Sequence, residues 1–129
     1  MQVSVATWEV LAQAWARAVT AAVEPLPETA CFSDLEAALE GAVRQAGGAS
    51  FTALLASRGP GYEGRYRPCP CGARQETDHY ATGSFQTVLG AVTVRRAAYH
   101  CPACGRKECP LDGELGLPEA GRSPGLEAR

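Results

Sequence analysis

The sequence predicts an α+β protein: an N-terminal helical segment, then a small domain built on an antiparallel β-hairpin. Apolar residues recur at helical spacing up to about residue 58. From Tyr80 onward the chain is rich in β-branched and aromatic residues around a glycine turn. Two cysteine pairs bracket that hairpin. We therefore expect a helical assembly region over 1–58, a β domain over 59–118 and a flexible tail over 119–129.

The first helix is predicted over residues 7 to 24. Its apolar residues recur at steps of three and four, which places them in one stripe, and Pro25 and Pro27 end the helix. The stripe consists of Trp8, Leu11, Trp15, Val19 and Val23.

A second helix is predicted to begin at a capping box formed by Ser33 and Glu36. Gly47 and Gly48 are expected to interrupt or kink it, and Arg58–Gly61 to end it as a linker. Its apolar positions are Leu35, Leu39, Val43, Ala46, Phe51, Leu54 and Leu55. Both helices are short and alanine-rich, so we expect Trp8, Leu11, Trp15, Leu35, Leu39, Val43 and Leu54 to be buried in an intra-chain or inter-chain core. The stripes would be covered by a second copy, by another domain or by the β domain.

Two strands are predicted, Tyr80–Leu89 and Val92–Tyr99, joined by a turn at Leu89-Gly90-Ala91 with positive φ at Gly90. Val92 and Val94 point to one face, and Thr93, Arg95 and Tyr99 to the other. Strict alternation puts Arg96 on the valine face, so we expect it at the edge of the core or after a bulge.

The cysteine pairs predict one structural Zn²⁺ held by Cys69, Cys71, Cys101 and Cys104. Gly72 and Gly105 follow the pairs and supply positive φ for tight turns. Knuckle, hairpin, knuckle is the plan of a zinc ribbon, and a closed four-thiolate site favours binding over catalysis. His79 or His100 could replace Cys69 or join it. An unmetallated thiol cluster or disulfides are the other interpretations. Cys31 and Cys109 are expected to be buried small residues.

The net charge of −2 is unevenly distributed. Residues 58–107 carry a surplus of five positive charges, whereas both flanks are acidic. We expect Arg95, Arg96, Arg106 and Lys107, near the metal, to contact phosphates, with weak DNA binding by the chain alone. No run is long enough for a membrane span, and no basic region opens a signal peptide, so an intracellular, reducing (cytoplasmic) location is expected.

The stretch Thr87–Arg106, with its Val-Leu-Gly-Ala-Val, Arg-Arg-Ala and Cys-Pro-Ala-Cys-Gly elements, resembles the N-terminal region of ISKra-type insertion-sequence transposases. Pro110-Leu111-Asp112, Leu115-Gly116-Leu117 and Ser123-Pro124-Gly125 extend the resemblance, which covers roughly residues 33–127. It implies a region upstream of a DDE catalytic domain, and we do not expect residues 1–129 to include that domain.

The predicted function is therefore a non-catalytic DNA-binding and assembly module of a transposase. Its helices would pair with a second copy or with a catalytic transposase domain. The alternative is a protein-interaction adaptor whose zinc ribbon docks on a partner in another nucleic-acid machine. No catalytic residue is assigned, because the chain has two histidines and no nucleophile motif.

Overall fold

The computed structural model describes all 129 residues, as helices followed by a four-stranded antiparallel sheet, which confirms the α+β class. The strands lie in the order β1-β2-β3-β4. The elements are α1 (Val5–Val23), α2 (Phe32–Ser57), β1 (Tyr66–Pro68), β2 (Arg74–Thr87), β3 (Gly90–His100), β4 (Lys107–Glu108), α3 (Pro110–Leu115) and α4 (Pro124–Glu127). Neither long helix reaches the length and hydropathy that a bilayer crossing requires.

Helix α2 begins two residues earlier than the sequence predicts. Cys31 is the N-cap, and its backbone N–H donates to the Asp34 carboxylate over 3.1 Å. The capping box is therefore formed by Cys31 and Asp34 instead of Ser33 and Glu36. The residues of each pair are three positions apart, so the capping-box spacing alone does not distinguish the two pairs. Cys31 itself is exposed, so its predicted burial is wrong.

Helix α2 runs without a break through Gly47 and Gly48, so the predicted interruption is wrong. Both glycines are buried where the helix crosses the β2–β3 turn. A Cβ on Gly48 would lie 2.8 Å from the carbonyl oxygen of Leu89, and one on Gly47 would lie 3.1 Å from the Leu89 side chain. The pair therefore allows close helix–sheet approach instead of ending the helix.

The protein has two separate apolar clusters. Phe85, Val92, Val94 and Leu111 form the sheet cluster, against which Leu55, Leu115 and Leu117 pack. The seam between α1 and α2 consists of Ala18, Ala42 and Ala46, with Ala22 beside them. Helix α1 packs on α2 and on no other helix or strand.

This alanine seam leaves most of the large helical side chains outside. Leu11 is buried and Leu54 is half-buried, as predicted for a helical core. The prediction of burial within the chain is wrong for the other five residues, because the small alanines let the two helices pack without the larger side chains. Trp8, Trp15, Leu35, Leu39 and Val43 are exposed.

The β-hairpin turns at Val88 and Leu89, and Thr87 pairs with Gly90. The turn lies one residue earlier than predicted, but Gly90 takes the expected positive φ of 92°. The register shift lies between Thr77 and His79, not at Arg96.

Side chains and loops cover the edge of β3. The Thr93 N–H donates to Thr52 Oγ1 of α2, the Ala97 N–H donates to the Pro60 carbonyl, and β4 pairs beyond them. This edge of β3 is therefore partly covered.

Residues 59–65 cross one face of the sheet. They start at Pro60 beside β3 and reach β2, where the Arg65 carbonyl accepts the Thr77 N–H. Between these ends, the buried Tyr99 hydroxyl donates to the Gly64 carbonyl over 2.6 Å and accepts the Glu63 N–H over 2.9 Å. The segment after α3 likewise runs along β2, where Gln86 bonds to Gly121 and Ser123.

Candidate metal centre

Two tight turns of related geometry carry the four predicted cysteines. In the first, between β1 and β2, the Gly72 N–H donates to the Cys69 carbonyl and the Cys69 N–H to the Ala73 carbonyl. In the second, between β3 and β4, the Gly105 N–H donates to the Cys101 carbonyl and the Cys101 N–H to that of Arg106. Gly72 and Gly105 have φ of 93° and 78°. The first turn is thus a version of the second that is one residue shorter.

The turns bring the four sulfur atoms together as a group that could hold a metal ion. All lie within 4.8 Å of one another. Cys69 and Cys104 are 3.7 Å apart, and Cys71 and Cys101 are 3.6 Å apart. A tetrahedron with Zn–S bonds of about 2.3 Å has S–S edges of about 3.8 Å. All six cysteines are free, and disulfide sulfurs would lie about 2.05 Å apart.

The electrostatics of the cluster favour a bound cation. The backbone N–H of Cys71 helps to lower the pKa of Cys69 to about 6. The Ala73 N–H acts to lower the pKa of Cys71, but the thiols of Cys69, Cys101 and Cys104 outweigh it and raise that pKa to about 12. Four thiolates this close repel one another, and a divalent cation removes the repulsion. With four protein donors the site would have no open position, so an ion bound there would be structural.

Neither histidine joins the sulfur cluster, whose ligand atoms come from cysteine alone. His79 Nδ1 lies 2.7 Å from Asp78, and His100 Nε2 lies 3.5 Å from Glu76. Cys109 is the half-buried N-cap of α3, where burial raises the pKa of its thiol.

A polar pair beside the cluster, formed by buried Gln75 and half-buried Glu108, was not anticipated. Gln75 is fully buried, and its Nε2 donates to Glu108 Oε1 over 2.8 Å. Glu108 also accepts from Arg106 over 3.2 Å, and these bonds lower the pKa of its carboxyl group. Gln75 also helps to lower the pKa of Cys69. Nothing in the sequence distinguishes Gln75 from the exposed strand residue Gln86.

The structure does not gather the four predicted phosphate-binding residues into one patch. Arg95 is exposed over the Tyr80 ring at 3.9 Å. Its neighbour Arg96 points to the other face, is half-buried and pairs with Asp112 at 2.9 Å. Arg106 pairs with Glu108, and Lys107 is exposed without an ion pair.

A different row of residues crosses the sheet next to the metal site. The strand registers align Tyr66, Glu76, His100 and Lys107 across all four strands. Arg74, which directly follows the first knuckle, lies over the Tyr66 ring at 4.0 Å. Arg74 and Lys107 are therefore exposed cations that flank the cysteine cluster.

No protein-family model, curated protein or solved structure matches the chain, so the site's geometry and the sequence carry the functional argument.

Proposed function

We propose that the chain is a non-catalytic, zinc-stabilised nucleic-acid-binding module. The observation that carries this proposal is the cluster of four cysteine sulfurs, whose spacing suits a closed tetrahedral site. Such a site organises a surface instead of activating a substrate. Zn²⁺ is the ion that a closed all-sulfur tetrahedron favours, although Fe shares this preference.

The surface that it organises offers phosphate contacts. Arg74 follows the first knuckle, and Lys107 follows the second. A bound ion would fix their separation, and Arg106 would add a cation that Glu108 partly neutralises. The resemblance to ISKra-type transposase N-terminal regions supports DNA as the nucleic acid and a transposase origin for the module. With so few free cations, the affinity of the chain alone should be weak.

The test is fluorescence anisotropy of a DNA duplex at several salt concentrations. Each phosphate neutralised contributes about −0.9 to the slope of log K against log salt, so replacing both Arg74 and Lys107 with Ala should flatten the slope by about 1.8. Arg17→Ala with Arg44→Ala, in the acidic helices, is the matched control and should leave the slope unchanged. An Arg95→Ala variant tests whether the opposite face of the sheet, which carries Arg95, contributes to DNA binding. Absence of binding at low salt would refute the proposal.

The competing function is a protein-interaction adaptor. Tyr62, Tyr66 and Tyr80 are exposed on the β domain, and tyrosine is enriched in protein interfaces. An adaptor would bind its partner with little dependence on salt, and its DNA titration would show no saturable change.

A further inference from the structure

The helical hairpin carries one large apolar surface, which we call the outer face. It is formed by Trp8, Trp15, Val19, Val23, Leu35, Leu39 and Val43, each between 36% and 58% exposed. Together these side chains expose on the order of 500 Å² of apolar surface, near the upper end for the largest patch of a monomeric protein.

Both helices contribute to the same side of the hairpin. Trp15 Nε1 donates to Ser50 Oγ of α2 over 2.9 Å. Ser50 lies seven residues, or about two turns, after Val43 and therefore on the same side of α2. The exposed apolar residues of α1 around Trp15 therefore lie beside the exposed apolar residues of α2 around Val43. Because the only polar atom of the Trp15 side chain is already bonded, burying it would leave no donor unpaired.

No helix or strand of the chain packs on the α1 side of the outer face, and only Val88 and Arg129 reach its Leu39–Val43 end. The inner seam is made of Ala18, Ala42 and Ala46, and α1 contacts no element besides α2. The sheet contacts α2 through Gly47, Gly48 and Thr52, so packing of the β domain does not account for the exposed stripe of α1.

We propose that a second copy of this chain occupies the outer face, forming a two-fold symmetric four-helix bundle. The seven residues are uncharged, and the rim beside Leu39 and Val43 carries both signs of charge, so a second copy of the chain can supply complementary charges. These rim residues are Glu36, Glu40, Arg44 and Arg129. Its exposed apolar area, on the order of 500 Å², is more than half of the about 800 Å² that each partner buries in a standard interface.

The distribution of bulk also suits a two-fold axis. The indoles of Trp8 and Trp15 lie toward the start of α1, whereas Val23, Leu35 and Leu39 lie toward the α1–α2 connection. Antiparallel docking places the indole end of each copy against the smaller aliphatic end of the other. This dimer is independent of nucleic-acid binding, and its test does not depend on that proposal.

Sedimentation equilibrium of the full chain tests the dimer. Wild type should have about twice the 13.5 kDa mass of one chain at micromolar concentration. Trp8→Glu and Leu39→Glu should each raise the dimer dissociation constant on the order of 100-fold, because a large apolar contact residue is replaced by a charge. Val10→Glu is the matched control: Val10 is 57% exposed, against 58% for Trp8, but lies outside the outer face.

Retained zinc in each variant shows that the β domain still folds. A wild-type chain that stays monomeric at 100-fold higher concentration overturns the proposal. So does a dimer that withstands both outer-face substitutions, or one that Val10→Glu disrupts equally. Because the replaced side chains are exposed in the single chain, misfolding is not expected to hide the result.

Discussion

Cys69 and Cys71 show how one residue between two ligands can serve a tetrahedral site. The Gly72 N–H bonds back to the Cys69 carbonyl, which tightens the turn enough to bring both sulfurs to the cluster. The backbone N–H of Cys71 also stabilises the Cys69 thiolate. A thiolate prepared in this way is a better metal ligand than an ordinary thiol.

Replacing Cys101 and Cys104 with Ser should reduce bound zinc from about one ion per chain to none, because two ligands cannot hold the ion tightly. Elemental analysis after purification without chelator measures this. Cys31→Ser with Cys109→Ser is the matched double variant and should keep its zinc, since neither thiol belongs to the cluster. Full zinc content in the Cys101/Cys104 variant would show that these two cysteines are not zinc ligands.

Glu108 should make stability depend on pH. Its carboxyl pKa is lowered by Gln75, then by Arg106, so its contribution is full above the ordinary pKa of Glu and is lost as the pH falls through the lowered value. Glu108→Gln should cost at most about 1 kcal/mol at neutral pH, because the carboxylate is partly exposed to solvent and Gln keeps an acceptor oxygen. The difference in melting temperature from wild type should shrink in acid. Glu114→Gln, on exposed Glu114, should show no such trend.

At the level of elements, hydrophobic spacing was sufficient to predict two helices, and β-branched and aromatic residues around Gly90 were sufficient to predict the β-hairpin. Hydrophobic spacing could not predict which helix face the chain itself buries, because alanine packs as well as leucine where two helices approach closely. The sequence also could not show why glycine occupies positions 47 and 48. The reason is the close contact with Leu89, which lies more than forty residues away in the chain. The four clustered cysteines could be predicted because the spacing within each pair is local, whereas Gln75 is buried through contacts between distant strands.

The two kinds of glycine in α2 give opposite predictions. Gly48→Ala should destabilise the protein by about 1–3 kcal/mol, because its methyl group would press on the Leu89 carbonyl at 2.8 Å. Gly41→Ala, in the same helix with no atom within 4 Å of the new methyl group, should stabilise it by up to about 1 kcal/mol. Urea denaturation of both variants measures the difference. Equal effects would mean that the close helix–sheet contact is absent.

In the whole molecule, α2 joins two parts with different sources of stability. The β domain has a small apolar cluster and would depend on its metal, whereas the helices depend on the alanine seam and on whatever covers the outer face.

Chelation should therefore remove the strand signal from circular dichroism while most of the helical signal remains. The apo chain should also melt at a lower temperature. Adding back Zn²⁺ should restore both properties, and Mg²⁺, which prefers oxygen ligands, should not. An identical melting curve with and without chelator would show that the cysteine cluster contributes nothing to folding.

The separation of the two knuckles also sets an order of events during synthesis. Twenty-nine residues lie between Cys71 and Cys101, and closing a loop of that length costs about 3 kcal/mol of chain entropy. The first knuckle leaves the ribosome with only two ligands, and the tetrahedron cannot close until Cys104 emerges. By then the whole hairpin is available to hold the ends of the loop together. Metal capture is thereby delayed until nearly all of the sheet has been made, and a nascent chain that stalls before Cys104 should bind zinc only weakly.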